Sequence, residues 1–175
     1  DRFRSWRLFG STFAILLAVL VAAALVPWWP VRLAASIVGG LTIVRAFILY
    51  HDFLHGAMLS DSHFAKWVFW LYGLIALTPA RHWRHSHNYH HAHVGKVILS
   101  KPGTYPLLTA DVGSFPLMTT EQWRTASWWH RLRYRVTRHP LTILGAYVTI
   151  FLLVGCLVPL IQEPRKYWDG SLSLL

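Results

Sequence analysis

The chain has 175 residues, 54% of them apolar and ten of them Trp, and a formal charge of 17 − 7 = +10 with histidine neutral. An ordinary soluble domain is excluded, because the apolar residues gather into long uncharged runs. The basic residues flank those runs, which favours anionic lipid headgroups as partners over nucleic acid. The single cysteine, Cys156, excludes an internal disulfide and is expected only to pack.

The chain opens on Asp1 with no signal-peptide pattern and closes on Ser-Leu-Ser-Leu-Leu at 171–175. That ending reads as the start of another apolar segment, so a fragment open at both ends is expected. Residues 8–27 are free of charge, and twenty helical residues cover about 30 Å, enough to cross the hydrocarbon core. Pro-Trp-Trp-Pro at 27–30 ends the run with helix breakers and interfacial aromatics. The first span is thus predicted at about 8–28. A second follows at 33–50, interrupted only by Arg45, which lies near the end of the run and can snorkel to headgroups.

Residues 67–80 are apolar but number only fourteen, which predicts an interfacial or re-entrant helix and not a crossing. Histidine clusters stand on both sides of it, and a full crossing would put them on opposite faces of the membrane. Trp67, Trp70 and Tyr72 in this segment suit either interfacial anchoring or the wall of an apolar tunnel. A third uncharged run, 141–161, predicts a third span.

Charge sets the orientation. Arg2, Arg4 and Arg7 precede the first span, and residues 81–139 hold nine Lys or Arg against two acids. The 27–32 connection has one positive charge, and 162–170 has two of each sign. By the positive-inside rule, the N-terminus, both histidine clusters and the basic stretch are cytoplasmic. Residues 94–139 read as a cytoplasmic segment lying on the membrane surface. The predicted fold class is all-α: three transmembrane helices, a short interfacial helix and a histidine-rich helical segment, in one domain.

Eleven histidines are present, and eight fall in two stretches. The first is His51-Asp-Phe-Leu-His55. Residues four apart share a helix face, so both imidazoles can reach one metal. The second runs from His82 to His93 around His87-x-x-His90-His91, three residues within about 100° of a helical wheel. His82, His85 and His93 fall on another arc and are expected to be outer or surface groups. His63, His130 and His139 read as ordinary interfacial residues. Either motif alone is a weak signal; together, each at the edge of an apolar segment, they point strongly to a metal. Five imidazoles suit iron, zinc, copper or nickel, and ligand type does not choose among them.

Absent carboxylates narrow the choice. A zincin needs His-Glu-x-x-His, and the acid here is Asp52. A ferritin-like di-iron bundle needs several glutamates, whereas Glu121 and Glu163 are remote from both clusters. Haem ligands would sit inside the spans, not at their ends.

His51-Asp-Phe-Leu-His55-Gly and Ser86-His87-Asn-Tyr-His90-His91 resemble the first two histidine boxes of the membrane fatty-acid desaturases. They look closest to the acyl-lipid, delta-12 or omega-6-like branch found in bacteria. The resemblance continues through Gly-Ser-Phe-Pro-Leu-Met-Thr at 113–119, Arg138-His-Pro-Leu141 and Lys166-Tyr-Trp-Asp169. It implies a non-haem di-iron centre ligated by His51, His55, His87, His90 and His91. It also implies O2 as co-substrate, a fatty acyl lipid as substrate and a ferredoxin or cytochrome b5 type electron donor, in what is expected to be a bacterial inner membrane. Asp52, His85 and Asn88 are candidates for contacts behind the ligands, where acceptors fix imidazole tautomers. The sequence departs from many plant-type relatives, which have Cys-Gly where Phe53-Leu54 stands. The family's third box, HxxHH, is not among these 175 residues, so the fragment alone is expected to be inactive. The alternatives are a di-iron hydroxylase or ketolase acting on carotenoid or alkane, and a histidine-rich metal transporter. A transporter would place polar ligands along a path inside the spans, which this sequence does not.

Overall fold

A computed structural model describes residues 1–93 and 118–175, with the side chains of His90 and His93 outside the described set. Among the described residues every regular element is helical and there is no strand. Most of the 94–139 surface segment and of the 113–119 motif lies outside the described residues. The chain forms two compact units, residues 1–72 and 73–175.

The first unit is built on two long helices, α1 (Arg2–Leu25) and α2 (Trp29–Leu54), both long and apolar enough to cross a membrane. Asp1 caps α1 through Phe3 N–H and Arg4 N–H, and Pro30 sits in the first turn of α2, where its missing N–H costs nothing. Neither helix is buried as a soluble core helix would be. Leu17, Leu20, Val21 and Leu25 on α1 and Ile37, Leu41, Val44 and Ile48 on α2 all face outward. A lipid-facing helix must satisfy its hydroxyls internally, and here Thr12, Ser36 and Thr42 each donate to the carbonyl four residues back. Arg45 reaches across to Ser11 Oγ at 3.5 Å.

The inner face of this unit is aromatic. Phe69 of α3 (His63–Ile75) is fully buried, with the Phe9, Phe13, Tyr50 and Phe53 rings within 4.7–6.1 Å. Tyr72 is buried and donates its hydroxyl to Ile43 O at 2.9 Å, so it is a packing residue. Trp67 is largely exposed, as an interfacial anchor would be. At one edge Arg2 pairs with Asp61 at 3.3 Å.

In the second unit the short apolar segment stops sooner than its composition suggests. α3 ends at Ile75, five residues before the apolar run does. Leu77 adopts a left-handed backbone (φ 56), Leu77 N–H bonds Leu74 O and Thr78 N–H bonds Gly73 O. That is a Schellman closure with leucine at the position glycine usually takes, and Pro79 bars the helix from resuming. α4 (Ala80–His93) then begins and carries the second histidine stretch.

Beyond residue 117 come α5 (Thr120–Thr125) and α6 (Trp128–Val136). Arg131 donates to Trp123 O and Arg124 O, and Arg135 lies over the Trp123 ring at 5.2 Å. Trp128 and Trp129 are exposed at the start of α6, consistent with an interfacial position.

The third apolar run departs from the sequence expectation. It forms α7 (Pro140–Leu144), a π-helix (Tyr147–Leu157) and α8 (Val158–Gln162), with a turn at Gly145 and not one helix of spanning length. Cys156 is buried, as expected, with its Sγ 3.4 Å from Leu77 O. Past α8 the chain turns back into α9 (Asp169–Leu172). There the Tyr167 ring packs edge-on against His82 at 5.1 Å and Asp169 bonds the Arg81 N–H. Residues 167–169 therefore lie beside the first turn of α4. The six residues from Arg81 to His87 cover only about 9 Å of helix, far short of the roughly 30 Å of a crossing.

Candidate metal centre

The first histidine pair stands at the end of α2, in the first unit. His51 lies in the last turn and His55 is the C-cap (φ −79, ψ −2). Gly56 follows in the left-handed region (φ 75), with its N–H on Phe53 O and Ala57 N–H on Asp52 O. This Schellman motif ends the helix immediately after the second histidine. The two rings are 4.6 Å apart at an interplanar angle of 66°. His51 is half-buried and His55 exposed. His51 Nδ1 lies 3.0 Å from Asp52 Oδ1, which leaves Nε2 as the outward donor atom.

The second pair is on α4, in the second unit. His87 and His91 are one turn apart, their rings 4.5 Å apart and nearly perpendicular. Their Nε2 atoms are 3.0 Å apart. Two adjacent corners of an octahedron with metal–nitrogen bonds of about 2.1 Å are also separated by about 3.0 Å. One metal can therefore take both donors with little rearrangement. Trp83, a turn earlier, stacks on His87 at 4.1 Å and limits its ring rotation.

His51 and His55 in the first unit, and His87 and His91 in the second, are pairs whose donor atoms each lie close enough to share a metal ion. The donor set fits the metal the family resemblance implies: neutral imidazole suits iron as well as zinc, copper and nickel. The side chain of His90 lies outside the described residues, as does that of His93. His85 and Asn88 are exposed on α4. Asp52, another of the outer candidates, lies against the ligand candidate His51.

His82, expected as an outer or surface group, is not at the surface: it is only 3% exposed and packs against Tyr167. His130 shares a hydrogen bond with Ser127 Oγ, and His139 accepts from Leu141 N–H at the start of α7. Both are ordinary helix-end residues, as expected. Sequence reasoning gave no role to Asp169, although its motif was noted. An acid set among Tyr167, Trp168 and Gly170 was the available signal. Nearby, hydrogen bonds to Tyr167 and then to Glu163 hold the exposed Lys166 ammonium above its ordinary value.

The described residues thus combine helical structure, two helices long and apolar enough to cross a membrane, and paired imidazoles on helix faces that could hold a metal ion. Comparison with known proteins makes this specific. The family model described as "Fatty acid desaturase" matches residues 27–170, and the chain belongs to the fatty acid desaturase family. It is 30% identical over 125 residues to a "Fatty acid desaturase" of Bacillus subtilis (strain 168), an alignment covering 70% of this chain and 32% of that relative. The chain thus spans about a third of the length of the curated relative it matches. No solved structure matches.

Proposed function

We propose that this chain supplies part of the active site of an enzyme that introduces a double bond into a fatty acyl chain. O2 is the co-substrate, and two electrons arrive from a ferredoxin or cytochrome b5 type donor. His51, His55, His87, His90 and His91 ligate a non-haem di-iron centre. The observation that carries this reading is the pair of imidazole donors 3.0 Å apart on α4, in a chain of this family.

The centre, when bound, would supply the oxidising power that an unactivated methylene C–H demands, beyond the reach of acid–base side chains. The chain's own residues do the rest. Asp52 holds the His51 ring with Nε2 forward, and Trp83 restrains His87. His85 and Asn88 are assigned to outer contacts.

Residues 1–175 belong to a single desaturase domain. α1 and α2 cross the membrane, placed in the bacterial inner membrane with the N-terminus and histidines cytoplasmic. The 67–80 segment lies at the interface. The 141–161 run enters the membrane without parting Asp169 from Arg81.

The test is expression of the full-length enzyme in a host rich in saturated acyl chains, with product analysis and iron determination. His90→Ala and His91→Ala are each expected to abolish both double bonds and bound iron. Full activity in either variant would remove the ligand assignment. An oxygenated product would move the enzyme to the hydroxylase or ketolase class, and metal flux without oxygen consumption would make it a transporter.

A further inference from the structure

The helix that carries His87 and His91 has a weak start. The first N–H groups of any helix lack intrahelical acceptors. Usually a serine, threonine, aspartate or asparagine next to the first turn supplies one. α4 has no acid in its first turn, and Pro79, whose carbonyl accepts the first intrahelical bond from Trp83 N–H, has no polar side chain. The first turn instead carries Arg81 and His82, a cation and a potential cation at the positive end of the helix dipole, with Arg84 just beyond.

The missing acceptor arrives from 88 residues away. Asp169 Oδ2 accepts the Arg81 N–H at 3.1 Å. The residue is only 1% exposed, and among the described residues its buried Oδ1 has no hydrogen-bond partner. A carboxylate kept at such desolvation cost needs a compensating interaction, and a helix N-terminus provides one. The neighbours of Asp169 hold the same turn. The Arg81 guanidinium lies over the Trp168 ring at 5.3 Å, and His82 meets Tyr167 edge-on. Gly170 permits the close approach: a Cβ there would sit 3.2 Å from Cys156 O.

We propose that Asp169 is a positioning residue for the histidine helix, a cap supplied from the far end of the chain. It fixes the first turn of α4 and, through the rigid helix, the placement of His87 and His91 six and ten residues on. The second clause rests on the reading of those histidines as metal ligands. Asp169 itself touches no ligand among the described contacts.

The experiment uses the full-length protein in detergent or nanodiscs. Amide hydrogen exchange over residues 81–86 is measured in the metal-free state, and Co(II) is titrated as a spectroscopic probe. Asp169→Ala is expected to speed exchange in the first turn about tenfold, the scale of a lost cap. It should also weaken Co(II) binding and shift its ligand-field bands. Asp169→Asn keeps the acceptor and is expected to stay within about threefold of wild type on both readouts. Unchanged exchange in Asp169→Ala would overturn the cap. If the alanine variant does not fold, Asn against Glu decides: a cap requires Asn to lie nearer wild type, and Glu lying nearer overturns it. His87→Ala separates the two readings, because it should lose Co(II) while leaving exchange at Arg81 unchanged. Wild-type Co(II) binding in His87→Ala would overturn the ligand clause alone.

Discussion

Removing the Asp52 carboxylate tests how the first histidine pair is held. The contact runs from Asp52 Oδ1 to His51 Nδ1 at 3.0 Å. Losing an acceptor behind a ligating histidine typically costs 10–100-fold in metal affinity. The side chains here are 31% and 47% exposed, so water can replace much of the lost bond. The lower end applies, and Asp52→Ala should weaken metal binding about tenfold, or about 1.4 kcal/mol. Asp52→Asn retains an acceptor oxygen at the same reach and should cost only about two- to threefold. The assay is a competition titration of Co(II) against a chelator on the full-length protein, with His51→Ala as reference. Wild-type affinity in Asp52→Ala beside clear loss in His51→Ala would refute the reasoning. Asp52 would then be a surface residue that happens to lie beside a ligand.

Three further substitutions test the frame around the pair. Gly56→Ala should destabilise by about 1 kcal/mol in reversible unfolding, because the cost is backbone strain at φ 75 and the added methyl meets nothing within 4 Å. Phe69→Ala should cost about 3–5 kcal/mol, visible as a large fall in melting temperature, since it empties the centre of a ring cluster with 0% exposure. Tyr72→Phe removes the bond to Ile43 O while keeping the ring, and a loss of about 0.6 kcal/mol is expected in the same unfolding assay.

The sequence made some of this legible and hid the rest for physical reasons. Charge-free length reveals a helix long enough to cross a membrane: α2 covers the predicted 33–50 span and extends beyond it, and α1 starts before the first span and runs through it as far as Leu25. An i, i+4 pair reveals a shared face, so both histidine pairs stand where spacing puts them. What local pattern cannot carry is contact at long separation. His82 is read from sequence as outer or surface because nothing near it in the chain foretells Tyr167, 85 positions on. Apolar length also overstates a helix when a backbone device ends it early. Leu77 is a poor residue for a left-handed position, so composition gives no warning of the stop after Ile75. The 141–161 run is apolar enough to span, yet the contacts of Tyr167 and Asp169 return the chain to the start of α4.

The charge balance of an all-imidazole site also follows from the fold. Neutral ligands bring no negative charge to a dication, and among the described residues neither pair is flanked by a glutamate. Part of the compensation can come from the backbone. His51 and His55 occupy the last turn and the C-cap of α2, the end at which the helix dipole is negative and cations are favoured. The Schellman closure at Gly56 fixes where that negative end lies relative to the two rings. A histidine pair in the middle of α2 would have the same spacing without this field. The location of the pair at the very end of a membrane-length helix therefore does two things. On the proposed reading, it would bring the two imidazoles out of the hydrocarbon and set them at the end of the helix that stabilises positive charge.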